Sequence, residues 1–401
     1  MKVLHVIHSM DPRSGGPSHA IREMVRAQKQ LDLSPSVLTT NAQAAVNWDD
    51  DSAYRESIMS EPLFGDVPLQ IATAYGKRRP WSRYSWSHEA PQMLTSQLSG
   101  SCRPDVVHIH GVFSHITQKA AQLAHTNRIP YIIRPAGALD LGCLQRGSAR
   151  LKRLFIKTML TRAIERSAFV HVTSEKEVDS IRIQFPRART EVLPHGTSMD
   201  DPNDGVFKAN HPSIRDQNFV LCLSRIHPIK RLDLAIRAFH AVSTEYPTTQ
   251  LVIAGNDAGA LAGLKELVSE LQLNDRCLFS GFVSGVAKAR AYSEARALLH
   301  TSAHENFGLS VVEAMAYGCP VIATDGVASG VYVATANAGF VVPSDVEQIS
   351  TALRTVLTGS RDEIGKRGAD YVQQNLTWPR IAQRLTDLYQ NAINRTSESS
   401  Q

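Results

Sequence analysis

The sequence predicts two α/β domains, each a doubly wound parallel sheet, facing each other across a cleft. Three observations carry this. Short β-rich apolar runs alternate with stretches of helical spacing, the pattern of βαβ units. The rhythm stops at a stretch rich in turn formers, residues 200–218 (Asp-Asp-Pro-Asn-Asp-Gly … Asn-His-Pro-Ser), and then restarts. The chain's 401 residues suffice for two or three cores of ordinary domain size.

The elements follow in order. In the first half, residues 3–7 form an apolar strand. It leads through the turn Ser14-Gly15-Gly16-Pro17 into a helix over 18–30. Strand-like runs recur at 36–40, 67–73, 106–110, 131–134 and 169–173, with a helical pattern at 117–126. In the second half strands are expected at 219–223, 251–254, 277–280, 298–302 and 320–324. Helices are expected at 232–245, 260–271, 286–294 and 309–317. A last helix, 380–391, follows Leu376-Thr377-Trp378-Pro379, where the proline suits a helix start. The expected division is 1–205, 206–375 and a C-terminal helix, 376–395, that crosses back to the first domain or packs on its own.

Composition excludes several classes. Hydrophobic residues make up 43% and charged residues 20%, which argues against a disordered or fibrous chain. No apolar run reaches the length of a membrane span, and the first residues are too polar and too short for a signal peptide. Five scattered cysteines (Cys102, Cys143, Cys222, Cys277, Cys319) fit reduced thiols in a cytoplasmic protein. No CxxC or HExxH pair marks a metal site, and none is expected. Neither half carries GxGxxG, which disfavours a dinucleotide-dependent oxidoreductase. The net charge of +5 is unevenly spread. Residues 1–200 hold 25 Lys+Arg against 18 Asp+Glu, and the remainder 18 against 20. A basic first half fits an anionic partner, a membrane face or a phosphorylated acceptor, or else a solvated surface.

The densest chemical signal is His304-Glu305-Asn306-Phe307-Gly308-Leu309-Ser310-Val311-Val312-Glu313-Ala314-Met315-Ala316. A short strand precedes it and a helix follows Gly308, so backbone N–H groups at Gly308 and Leu309 would favour a phosphate. Glu305 in the loop and Glu313 in the helix flank that corner, and carboxylates accept sugar and ribose hydroxyls. The plainer alternative for each is a helix cap or a solvated acid. A second signal is Ser224-Arg225-Ile226-His227-Pro228-Ile229-Lys230-Arg231, in a loop between strand and helix. Arg225 and Lys230 there would neutralise a leaving diphosphate, unless they pair with nearby acids. Gly15 and Gly16 after the first strand allow close backbone approach to a ligand. His110 ends a strand and either faces the cleft or is structural. Asp49-Asp50-Asp51 reads as a solvated acidic loop rather than a metal-binding motif.

Together these features resemble glycosyltransferase family 4, the group 1 retaining glycosyltransferases of GT-B fold, whose two domains are Rossmann-like. Glu305 and Glu313, within Glu-x-Phe-Gly-Leu … Glu-Ala-Met-Ala-x-Gly-x-Pro-Val-Ile-Ala-Thr, resemble its signature. Leu193-Pro194-His195-Gly196-Thr197 is similar to its Pro-Asn-Gly turn, with His195 for Asn. The resemblance implies roles. Arg225 and Lys230 hold the donor diphosphate, Glu313 the ribose, and Glu305 the donor sugar. Gly16 approaches the phosphates, Phe307, Gly308 and Leu309 line the donor, and the backbone around Phe282-Val283 and Gly255 seats the base. It implies sugar transfer from a nucleotide-diphosphate sugar, without a metal or other cofactor, to a saccharide or lipid-linked acceptor. Polysaccharide or glycoconjugate biosynthesis is the expected setting, with no nucleic-acid partner. A sugar-nucleotide 2-epimerase and a non-catalytic sugar-nucleotide-binding protein are the alternatives. This sequence departs from the family in further places: the usual His after a first-domain strand is not found in Ile132-Ile133-Arg134-Pro135-Ala136-Gly137-Ala138-Leu139-Asp140, and Asp325-Gly326-Val327-Ala328-Ser329-Gly330 lacks the usual glutamate. The basic stretch 141–167 (Arg146, Arg150, Lys152, Arg153, Lys157, Arg162, Arg166), with Leu151, Leu154, Phe155 and Met159 at helical spacing, is either a core helix with a basic back or a peripheral contact with the inner face of an anionic membrane.

Overall fold

The computed structural model describes residues 1–11, 16–42, 55–74 apart from 57 and 61, 84–141, 153–201, 207–214 and 217–398. Two compact units result, Met1–Gly196 with Trp378–Gln401, and Thr197–Thr377.

The first unit is built on a seven-stranded sheet. Its strands are β1 (Lys2–Ile7), β2 (Ser34–Thr40), β3 (Leu69–Ala72), β4 (Val106–His110), β5 (Tyr131–Arg134), β6 (Phe169–Val172) and β7 (Thr190–Val192), in the order β3-β2-β1-β4-β5-β6-β7. All six pairings are parallel. The second unit repeats the plan with β8 (Asn218–Leu223), β9 (Thr249–Ala254), β10 (Cys277–Gly281), β11 (Ala297–His300), β12 (Val321–Thr324) and β13 (Gly339–Val342), in the order β10-β9-β8-β11-β12-β13. Again every pairing is parallel. Central strands such as β4 and β9 are buried along their whole length. That is why they read as continuous apolar runs rather than alternating ones. In each sheet the winding reverses between two neighbours, β1 and β4 in one, β8 and β11 in the other. Ligands of such sheets bind at the carboxyl ends of the strands at this point.

Helices cover both faces. Leu232–Ser243 buries Leu232, Leu234, Ala235, Ile236, Ala238, Phe239 and Val242. The C-terminal helix, Trp378–Glu398, is longer than the 380–391 pattern. It buries Trp378, Ile381, Ala382, Leu385, Leu388, Tyr389 and Ala392, one stripe at helical spacing. The stripe packs in the first unit against Val3, Ala20, Met24 and Ile132. Gly196 lets the chain pass this helix, because a Cβ there would lie 2.5 Å from Trp378 Cδ2.

Beneath the C-terminal helix and the helix Gly16–Gln30, the first sheet carries a buried histidine layer. His5, His108, His110 and His171, from β1, β4 and β6, are at most 1% exposed. Their hydrogen bonds form a relay. Leu193 O can only accept, so His171 donates to it from Nε2 (2.9 Å) and accepts at Nδ1 from His108 Nε2 (3.3 Å). His108 Nδ1 then accepts from the Tyr389 hydroxyl (2.8 Å), which accepts from Gln28 Nε2 (3.0 Å). Gln28 Oε1 accepts from His5 Nε2 (2.8 Å), and His5 Nδ1 from His110 Nε2 (3.0 Å). Arg134, at the end of β5, stands beside the layer and reaches the His195 ring from Nη2. Burial is the main force holding all five imidazoles neutral, taking His5 to about 4 and His171 to about 3. It also lowers His108, His110 and His195 well below the usual value.

Candidate active site

The functional corner of the second unit lies at the ends of β8 and β11. After β8 the chain makes the short turn Pro228–Lys230, capped by His227 Nδ1, which accepts from Ile229 N–H (3.1 Å). Arg231 adopts a left-handed conformation (φ 47°) and turns the chain into the next helix. The turn is pinned to the loop after β11: Ala303 N–H donates to Ile229 O (2.9 Å) and the Thr301 hydroxyl to Lys230 O (3.0 Å). Lys230 therefore leaves a fixed backbone.

Its partner is Glu305. Lys230 Nζ donates to Glu305 Oε2, and the two side chains are 12% and 26% exposed. Burial pushes the Glu305 carboxyl up. His300, whose Nε2 lies 3.8 Å from Oε2, and the Lys230 cation together outweigh this and hold it down at about 2. The loop carrying Glu305 is clamped to the loop after β12. Glu305 N–H donates to Gly326 O (3.1 Å), Ala328 N–H to Glu305 O (3.2 Å) and Ser329 N–H to Phe307 O (2.8 Å). Only glycine fits at 308: φ is 92°, and a Cβ would lie 2.8 Å from Val327 Cγ1. Gly308 caps the helix Leu309–Ala316; the Val311 N–H bonds back to Gly308 O, leaving the Leu309 and Ser310 N–H groups as donors for an anion. Phe307 is buried in the core behind the loop.

Glu313 lies further along this helix. Its Oε1 accepts from Lys288 Nζ and its Oε2 from the Tyr292 hydroxyl, both at 2.8 Å. Lys288 and Tyr292 sit on the helix Gly285–Glu294. Arg225 is exposed just beyond β8 and makes no ion pair among the described residues. Gly255 packs closely on the backbone just before it, since a Cβ there would lie 1.8 Å from Ser224 O. Val283 packs at the edge of the core beside Phe282, which is 67% exposed.

The sequence-predicted residues thus fall into groups. Lys230 and Glu305 are in contact, and Phe307, Gly308 and Leu309 continue the same loop into its helix. Glu313 is tied to Lys288 and Tyr292, two residues the sequence reading did not single out. Their spacing of four on a predicted helix was the available signal, since it puts them on one face. In the first unit Gly16 opens the helix Gly16–Gln30, and His110 belongs to the buried layer. Gly15, the Asp49-Asp50-Asp51 run, Arg146, Arg150, Leu151 and Lys152 lie outside the described residues.

Residues 205–371 match the family model described as glycosyl transferases group 1, and residues 15–196 match the glycosyl transferase 4-like domain. The chain belongs to the group 1 glycosyltransferases. This glycosyltransferase is similar to an uncharacterized glycosyltransferase of Methanocaldococcus jannaschii, 25% identical over 77% of this chain and 81% of the relative. It is 23% identical over the full length of both chains to the GDP-mannose:cellobiosyl-diphosphopolyprenol alpha-mannosyltransferase of Xanthomonas campestris. Among solved structures it resembles Anabaena HepE in complex with UDP, with a TM-score of 0.74 and 17% identity over 96% and 99% of the two chains. At that identity the likeness concerns the fold, which is GT-B.

Proposed function

We propose that this glycosyltransferase is a retaining, metal-independent enzyme that moves a sugar from a nucleotide-diphosphate sugar to a saccharide or lipid-linked acceptor in polysaccharide or glycoconjugate biosynthesis. The observation that carries the reading is the Lys230–Glu305 pair. It is held by pinned loops at the point where the second sheet reverses, beside the open N-terminus of Leu309–Ala316. A cation, helix N–H groups and a carboxylate are what a diphosphate-linked sugar needs. Nucleotide use by relatives supports the donor class: HepE was solved with UDP, and the Xanthomonas relative is named for GDP-mannose.

In this reading Arg225 and Lys230 hold the diphosphate with Gly308 and Leu309, and Glu305 faces the sugar. Glu313 receives the ribose, Val283 lies by the base, and Gly16 is assigned to the phosphates. The bond from the anomeric carbon to the β-phosphate oxygen breaks as the acceptor oxygen bonds to that carbon on the same face. The acceptor proton ends on the departing phosphate. Positioned cations suffice to stabilise that leaving group, so the step calls for no covalent intermediate and no metal. A panel of nucleotide sugars tests this. Diphosphate release that depends on added acceptor, survives EDTA, and gives product of unchanged anomeric configuration by NMR is expected. Inversion, or an absolute need for a divalent cation, overturns it. Conversion of the sugar nucleotide without an acceptor would favour the 2-epimerase.

A membrane-borne acceptor fits the basic first half. No helix among the described residues is long and apolar enough to cross a membrane. Leu154 and Met159 are 59% and 50% exposed, beside exposed Lys157 and Arg162. Apolar side chains ringed by lysine and arginine suit peripheral contact with anionic lipid. Pelleting with anionic vesicles at low salt is expected, with release at high salt. A protein left in the supernatant at low salt sinks the idea.

A further inference from the structure

Glu313 is held from both sides before any ligand arrives. Lys288 Nζ occupies one lone-pair position on Oε1, and the Tyr292 hydroxyl one on Oε2. A carboxylate offers about four such positions. One position on each oxygen is left, which suits two vicinal hydroxyl donors. Tyr292 is fully buried, and burial with the adjacent carboxylate keeps its phenol protonated, so it can only donate here. It is stacked on Tyr317 with ring centroids 5.9 Å apart, which fixes the hydroxyl in turn. Lys288 is 26% and Glu313 16% exposed, so the pair is partly screened from water yet reachable.

We propose that Lys288 and Tyr292 are positioning residues that orient Glu313 as a receptor for a vicinal diol, and so set the selectivity of this site for ribonucleotides over 2′-deoxyribonucleotides. The inference rests on the donor-site reading above and adds to it two residues and a discrimination. Without Lys288 the carboxylate loses one of its two fixed donors and is held from one side only. The diol then gains less from binding, whereas the diphosphate contacts at Lys230 and Gly308 are untouched.

The test is calorimetric. UDP, GDP and ADP, and the 2′-deoxy counterpart of whichever binds, are titrated into the wild-type chain and into Lys288→Met, Lys288→Arg and Tyr292→Phe. Hydrogen bonds to a charged group are worth enough for about a tenfold or larger preference for the ribose form in the wild type. Lys288→Met and Tyr292→Phe are expected to lower ribonucleotide affinity about tenfold while leaving the deoxy form nearly unchanged, so that the ratio falls toward one. Lys288→Arg is expected to restore most of the ratio. In turnover, Lys288→Met raises the donor KM and leaves kcat near its wild-type value. A merely structural loss would weaken both nucleotides together. An unchanged ratio in Lys288→Met and Tyr292→Phe, or a wild-type chain that does not distinguish ribose from deoxyribose, overturns the inference while the donor reading stands. A wild-type chain that binds none of the three diphosphates overturns both.

Discussion

Lys230→Ala is expected to cut turnover by about 10²–10³-fold, the usual cost of removing one preorganised charge stabiliser. The structure explains why the loss is large and why it is not simple. Lys230 is 12% exposed and its backbone is fixed by two hydrogen bonds to the loop after β11, so no other lysine or arginine takes its place easily. Removing it also strips Glu305 of its cation, and the Glu305 carboxyl then rises from about 2, with the His300 hydrogen bond left to oppose burial. Glu305→Gln is the complementary change. It keeps the shape, removes the anion and leaves Lys230 unpaired for the diphosphate. Turnover is expected to fall by a similar factor, while affinity for the nucleoside diphosphate holds or improves. Steady-state kinetics with calorimetric binding separates the two roles. Full turnover in Glu305→Gln would refute the assignment of Glu305 to the reacting sugar.

Much of this corner is legible in the sequence because its constraints are local. Gly308 needs a positive φ, and the helix pattern begins at the next residue. The two chemical loops each follow an apolar run, and parallel strands buried on both faces write themselves as such runs. What lies between the loops is not local. That Lys230 meets Glu305, 75 residues away, depends on β8 and β11 being neighbours, and strand order is set by crossover handedness and packing. Several of the elements missed were polar or marginal, although the helix Val346–Thr358, which buries Ile349, Leu353 and Val356, was not. β7 has three residues, none fully buried, and β13 is a partly exposed edge strand that starts at Gly339. An edge strand buries one flank only and carries a weaker apolar signature. The helix Arg361–Asn375 buries two glycines and a valine, Gly365, Gly368 and Val372, so its inner face does not look apolar in the sequence. Gly365 is there for close approach: a Cβ would lie 2.1 Å from Gly318 O.

The histidine layer was the least legible feature, because each histidine alone reads as an ordinary core residue, and its consequence is an acid-labile first unit. Unfolded histidines take up protons near pH 6.5, whereas those of the folded layer do so only near 4 for His5 and near 3 for His171. Below pH 6.5 the unfolded chain therefore binds more protons, and stability is lost as pH falls, down to the folded values. Each such group contributes about 1.4 kcal/mol per pH unit in that window. Several such groups lowered together make the dependence steep against a typical total stability of about 5–15 kcal/mol. The groups facing the layer do not relieve it. Arg134 and Arg384 add positive charge, while Gln28 and Tyr389 are neutral partners already committed to the relay. Trp86 and Trp378, the tryptophans among the described residues, belong to the first unit, and the sequence places Trp48 and Trp81 within the same stretch of chain, so tryptophan fluorescence follows this unit. Urea midpoints followed by this signal are expected to fall steeply between pH 6.5 and 5, before most carboxylates titrate. His171→Gln, which cannot gain a proton, should flatten the slope. A midpoint that does not move between pH 7 and 5 would mean that the imidazoles are not held neutral by the fold, and the relay would have to be abandoned.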